Sequence, residues 1–127
     1  MVAVVEPRPN MRDSMVKSHK IPKEMVFHTW EDFVVASARS IDTEPNLESL
    51  SGPGRLADAV IVAVQDKMHA PVVHALAEQG YHILCEKPMA TSPEECIRMA
   101  DAVKKSGKIF GIGHGKVLVQ KELSVLR

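Results

Sequence analysis

The run Ala59-Val60-Ile61-Val62-Ala63-Val64 constrains the fold of this chain more than any other stretch. It is continuous, rich in β-branched residues, and set between Asp58 and Asp66. Such a run predicts a strand covered on both faces, as in a parallel sheet. The chain beyond it keeps alternating. Residues 71–79 predict a helix, with Gly80 as its stop. Residues 81–85 predict a strand, and residues 109–112 another. Between them residues 93–106 predict a helix that Ser92 caps, Pro93 opens and Gly107 ends. Glu95, three places after Ser92, fits a capping box.

The first part of the chain reads in the same alternation, less strongly. Residues 2–5 predict a short strand, broken by Pro7 and Pro9. Residues 11–20 predict a helix with Asn10 as N-cap and Met11, Met15 and Val16 on one face. Residues 25–27 predict a second short strand, and residues 30–37 a helix capped by Thr29. Residues 40–54 are polar and rich in Pro, Gly and Ser, as a loop or insertion would be. Strand and helix in turn predict an α/β fold around a parallel sheet.

Composition narrows the function classes. A chain of 127 residues suffices for one core, and with 45% apolar and 25% charged residues it is expected to fold. Sixteen basic residues balance sixteen acidic ones, so charge makes no case for nucleic acid or an anionic membrane. No apolar run approaches the ~20 residues of a membrane span. The N-terminus lacks the basic flank and apolar length of a signal peptide. Cys85 and Cys96 form no metal-spaced cluster, which sets a reducing, cytoplasmic location as the expectation. His69 and His74 are five apart, the wrong spacing for a zinc pair on one helical face. His19, His28, His74 and His82 read as surface or packing residues, and Met11, Met15, Met68, Met89 and Met99 as core filler. Cys85 reads as a buried strand-end thiol, with a lowered pKa beside Lys87 as the alternative. Cys96 reads as helix packing.

The sharpest candidate for chemistry is Glu86-Lys87-Pro88, directly after a predicted strand. Ligands of parallel α/β sheets sit outside the carboxyl ends of the strands. A lysine there reaches a cofactor ribose or a substrate hydroxyl, and with a lowered pKa it assists proton transfer. A proline after it fixes a tight turn, through a cis bond in one version. The competing reading is a plain exposed turn.

Context favours chemistry. The segment Val64-Gln65-Asp66-Lys67-Met68-His69, then a helix, then Gly80-Tyr81-His82-Ile83-Leu84-Cys85-Glu86-Lys87-Pro88-Met89 resembles the Gfo/Idh/MocA family of NAD(P)-dependent oxidoreductases. That family carries a strand ending in Thr-Pro-Asn with a His three residues on, a helix ending in Ala-Gly, and a strand leading into Glu-Lys-Pro. The resemblance runs over residues 2–114. It implies that Glu6 binds the adenosine ribose and that Arg8 meets a 2′-phosphate, so NAD and NADP both remain open. It implies cofactor contacts at Ala63, Val64, Gln65 and His69, and at Glu86, Lys87 and Pro88, with Lys87 also catalytic. It places Gly113 and His114 near the nicotinamide.

Departures from the pattern temper this. Val64-Gln65-Asp66 stands for Thr-Pro-Asn, and after His114 the sequence leaves the family's course. The family's opening strand and Gly-x-Gly-x-x-Gly turn, which holds the pyrophosphate at a helix N-terminus, have no counterpart here. The run Gly111-x-Gly113-x-Gly115 is no substitute, because Lys116 follows it; Phe110 also breaks a P-loop pattern. The family's substrate domain is expected to be missing as well. The expected organisation is an incomplete dinucleotide-binding domain over residues 1–114 and a divergent tail over 115–127. Its fold is a partial Rossmann-type, doubly wound parallel sheet lacking the first strand and glycine-rich turn.

The functional expectation is the nucleotide-binding portion of an oxidoreductase acting on a sugar-like or polyol hydroxyl. On its own the chain should bind NAD or NADP weakly or not at all and turn nothing over, since hydride transfer needs both reactants held in place. The partners are a nicotinamide dinucleotide and a small sugar-like substrate, with room for a homo-oligomer. The alternative is a non-enzymatic binding or dimerising module. In the strand order 3-2-1-4-5-6, residues 2–5 and 59–64 flank the missing central strand. They are expected to close on each other, to admit residues 117–119 as a filler, or to leave the chain marginally stable.

Overall fold

The chain divides into two units, Met1–Asp58 and Ala59–Arg127, and the computed structural model describes residues 1–41 and 55–113. The loop expected over 40–54 falls almost wholly outside the described residues, as do His114 and residues 117–119.

In the first unit β1 (Val4–Val5) pairs in parallel with β2 (Val26–Phe27), with Val4 opposite Val26. Between them runs α1 (Pro9–His19), and after them α2 (Trp30–Ile41). The predicted Asn10 cap is corrected: Arg8 is the N-cap and Pro9 opens the helix. Proline has no N–H to leave unsatisfied there, and its fixed φ suits the first turn. Lys20 ends α1 in the left-handed region, at φ 52°. Thr29 caps α2 as the sequence predicts, its Oγ1 accepting from the Asp32 N–H at 3.2 Å. Val4, Ile21, Phe33 and Ser37 are buried, and Phe27 meets Phe33 edge to face at 5.3 Å.

The second unit is a three-stranded parallel sheet in the order β3-β4-β5. Its strands are β3 (Ala59–Val62), β4 (His82–Glu86) and β5 (Phe110–Gly113). Ile61 stands opposite Leu84, and Leu84 opposite Gly111. The crossover β3→β4 runs through α3 (His69–Glu78), and β4→β5 through α4 (Pro93–Ser106). The helix α3 buries Ala70, Val72, Val73, Leu76 and Ala77; the strands bury Val62, Ile83 and Cys85. Burial of one such large side chain contributes roughly 1.5–3 kcal/mol. The expectation of a strand covered on both faces is corrected. Val62 is buried, but Ile61 is 67% and Leu84 46% exposed. Successive side chains alternate, and only the face turned to the helices is covered.

The helix ends follow the sequence closely. Gly80, at φ 76°, stops α3. The Gly80 N–H donates to Ala77 O and the Tyr81 N–H to Leu76 O, at 3.0 and 3.1 Å. That pair is a Schellman stop, and its hydrophobic partners Leu76 and Tyr81 are both buried. Ser92 Oγ accepts from the Glu95 N–H at 3.2 Å. The Glu95 carboxylate reaches back to Thr91 rather than to Ser92, accepting from its N–H and its hydroxyl. Gly107 closes α4 at φ 65°.

Each sheet is parallel, with helices on its crossovers, as in a Rossmann-like α/β fold. β1 and β3 belong to different sheets. No helix among the described residues is long and apolar enough to cross a membrane.

Candidate functional site

The carboxyl ends of β3, β4 and β5 carry the candidate residues of the second unit. Parallel strands all end on the same edge, so segments distant in sequence meet there. After β3 the chain runs through Ala63, Val64 and Gln65, all exposed, into a single tight turn at Asp66–Met68. Its N–H at Met68 donates to Gln65 O at 2.7 Å. After β4 come Lys87 and Pro88, also exposed and joined by a cis peptide bond.

Glu86 is the last residue of β4, and its ladder partner is Gly113. The carboxylate of Glu86 lies over that glycine. A Cβ on Gly113 would stand 3.3 Å from Glu86 Cδ and from both Oε atoms. Tighter than ordinary contact, that spacing means a side chain on Gly113 would push the carboxylate aside by a few tenths of an ångström, so the glutamate lies close over the end of β5. The sequence marked Gly113 only through its place before His114; the cross-strand register shows what it does.

Cys85 points to the covered face and is fully buried, with its Sγ donating to Glu86 O at 3.4 Å. Burial first, and the Glu86 charge second, push its thiol up to about 11. The thiol is buried as read from the sequence, and its shift runs upward, opposite to the alternative of a lowered pKa beside Lys87. Both cysteines are free.

His69, the first residue of α3, is 1% exposed. Its Nδ1 lies 2.7 Å from Pro88 O and its Nε2 3.2 Å from Val64 O. The ring therefore sits between the turns that follow β3 and β4.

The first unit has a strand end of its own. Glu6 follows β1, and its N–H donates to Phe27 O at 3.1 Å. Arg8 grips the Glu6 carboxylate in a fork: Nε donates to Oε1 and Nη2 to Oε2, each at 2.8 Å. The Arg8 backbone N–H adds a third bond to Oε1 at 2.9 Å. These bonds hold the Glu6 carboxyl at about 2, well below its ordinary value, and raise the Arg8 guanidinium. Arg12 was missed in the sequence. Its Nη1 donates to the carbonyls of Glu6 and Pro7, at 2.9 and 3.2 Å, and so fixes the turn out of β1. A basic residue on the first turn of the following helix was the only available signal.

Among the described residues no three His, Cys, Asp or Glu groups converge on a metal position. Nor does a glycine cap any described helix N-terminus: Arg8, Met68 and Ser92 cap α1, α3 and α4, and Thr29 caps α2. At the edge of the second unit the Glu86 carboxylate lies over Gly113 and the exposed Lys87 follows it, polar groups of the kind a nucleotide's hydroxyls could meet. A pyrophosphate cradle is not found among the described residues.

Residues 2–114 match the model of a family described as oxidoreductase family, NAD-binding Rossmann fold. The chain is 39% identical over 71 residues to a 2,7-anhydro-N-acetylneuraminate hydratase of Escherichia coli, covering 54% of this chain and 19% of that protein. It is 40% identical over 63 residues to an inositol 2-dehydrogenase/D-chiro-inositol 3-dehydrogenase of Shouchella clausii, covering 50% of this chain and 16% of that one. Among solved structures it resembles an aldose-aldose oxidoreductase from Caulobacter crescentus complexed with glycerol, with TM-score 0.67 and 28% identity. That match covers 90% of this chain and 29% of the other.

Proposed function

Because this chain belongs to the Gfo/Idh/MocA oxidoreductases, whose Rossmann fold binds NAD, we propose that it supplies part of the dinucleotide site of an enzyme acting on a sugar-like or polyol hydroxyl. One observation carries the reading: Glu86-Lys87-Pro88 ends the central strand β4, with the Glu86 carboxylate lying on Gly113. The hydroxyl-rich substrate class is supported by the names of the relatives, which act on inositol, on an aldose and on an anhydro sugar acid.

In this proposal Glu6 accepts from the adenosine ribose hydroxyls, and Arg8 is the group that a 2′-phosphate would draw away from it. Ala63, Val64 and Gln65 lie along the cofactor, as do Glu86 and Pro88. Lys87 holds or gives the proton of the reacting hydroxyl. His114 belongs to the same expectation and lies outside the described residues. The bound dinucleotide would supply the hydride chemistry. The chain spans about a fifth or less of the curated relatives it matches, so turnover needs parts that those proteins contain in addition. We place it in a reducing, cytoplasmic setting.

A titration of this chain with NADH and NADPH tests the reading. Weak or undetectable binding is expected, with any shifts confined to the strand ends. Micromolar affinity would overturn the role given to the pyrophosphate cradle. In a full-length relative carrying the same tripeptide, Lys87→Ala should lower kcat strongly and leave the fold intact. An unchanged kcat would remove Lys87 from catalysis.

A second reading, a dimerising module without dehydrogenase activity, is favoured by the exposed Ile61 and Leu84 on the uncovered face of the second unit. Sedimentation of the wild type against Ile61→Lys tests it: a dimer lost in the variant would support this reading.

A further inference from the structure

Both ring nitrogens of His69 face carbonyl oxygens, and those carbonyls belong to the two turns that leave β3 and β4. We propose that His69 is a positioning residue. Its imidazole is a strut that sets the Lys87-Pro88 turn against the Val64 turn without touching a ligand itself.

Three observations converge. The ring is 1% exposed, so no face is left for a cofactor or substrate. Its contacts are main-chain oxygens on both sides, and a main-chain oxygen cannot move without moving its turn. Finally, the anchor is stiff: His69 opens α3, where Ala70, Val72 and Val73 are buried on the following turn. The strut thus carries the rigidity of the packed helix to two exposed strand ends. Pro88 O lies next to Lys87 in the chain, so a bond to it bears on the residue given the proton-handling role. That last link rests on the function proposed above.

The two contacts are unequal. A neutral imidazole has one N–H and donates to one carbonyl at a time. The contact to Pro88 O is the shorter, 2.7 Å against 3.2 Å, so the strut holds chiefly through Nδ1 and Pro88.

Side-chain amides separate the two ends. The Asn amide falls near the place of Nδ1, and the Gln amide near that of Nε2. His69→Asn therefore keeps a donor for Pro88 O, His69→Gln keeps one for Val64 O, and His69→Phe keeps ring volume with neither. The test is NMR on the full chain without nucleotide, reading the carbonyl 13C shifts of Pro88 and Val64 and the backbone order parameters of Glu86, Lys87 and Met89. In His69→Phe the Pro88 carbonyl should shift and Lys87 and Met89 should gain mobility, while the core methyls of Val73, Leu76 and Ile83 keep native shifts. His69→Asn should restore the Pro88 shift and the order at Lys87. His69→Gln should restore only the Val64 shift. A merely structural role would give no such split.

The proposal is overturned if Asn and Gln act alike at Lys87 and Met89, or if His69→Phe leaves that turn unchanged. Should His69→Phe fail to fold, the Asn and Gln pair decides; should none of the three fold, His69 is a folding residue and the proposal falls. No nucleotide is present, so failure of the dinucleotide reading leaves this result standing, and failure of the strut leaves the NADH titration to stand alone.

Discussion

Each unit ends a strand on or just before a glutamate, and the two glutamates are held by different means. Glu6, in the first unit, is taken by Arg8 two residues on, in a fork whose geometry is local to the chain. Glu86, in the second, lies on Gly113 across the ladder. The supports differ in kind as well. The first ladder pairs two residues on each strand, and the second pairs four across each of two interfaces. Behind the second stands the buried face of α3. A local ion pair can form on a thin support. A carboxylate placed by register needs a rigid sheet, because a slip of one residue turns every side chain to the opposite face.

The largest test strikes the support of the second unit. Leu76→Ala should cost about 2–5 kcal/mol, as deletion of a fully buried leucine does. Urea unfolding followed at β4 amides would show it. A loss below about 1 kcal/mol would mean that the α3 core relaxes around the cavity, against close packing.

Amide exchange compares the units directly. The N–H groups of Ile83 and Cys85 should exchange at least about tenfold more slowly than those of Val4 and Val5, since local opening is cheaper where little apolar surface is buried. Equal protection would break the comparison, and would show the two-residue ladder to be as well supported as the longer sheet.

The helix stops sharpen it. Gly80 and Gly107 turn left-handed without a Cβ, whereas Lys20 does so at φ 52°. Lys20→Gly should stabilise the first unit by about 0.5–1 kcal/mol, a left-handed penalty of about 1–2 less the greater unfolded-state entropy of glycine. A destabilised variant would show that the Lys20 side chain makes contacts worth more than the strain.

The smallest effect concerns acid. The Glu6 carboxyl is lowered from 4.5 to about 2, so its contribution is whole above 4.5 and fades as pH falls toward 2. Glu6→Gln should flatten the stability profile of the wild type across that window and leave the slope near neutrality unchanged. The Arg8 side chain is largely open to solvent, and added salt should shrink the difference. A Glu6 titration near 4.5 by NMR would show the fork to be open in solution.

The sequence by itself settled what depends on neighbours a few residues apart. The caps at Thr29 and Ser92, the stops at Gly80 and Gly107 and the strand–helix alternation all stand in the structure. So does the tripeptide Glu86-Lys87-Pro88 at a strand end. The same reasoning placed the N-cap at Asn10, two residues past Arg8, because it weighed the capping side chain above the proline that opens α1. Tertiary structure decided the rest. It left one face of β3 bare, as periodicity in a fully apolar run cannot say which faces receive a helix. It set Glu86 on Gly113 and put His69 between the carbonyls of Val64 and Pro88. Glu86 and Gly113 stand 27 residues apart and His69 and Pro88 19, while Val64, only 5 from His69, offers a carbonyl whose identity the side chain cannot record. Main-chain acceptors are present at every residue. Only the register of the strands and the packing of α3 choose which of them a buried ring will meet.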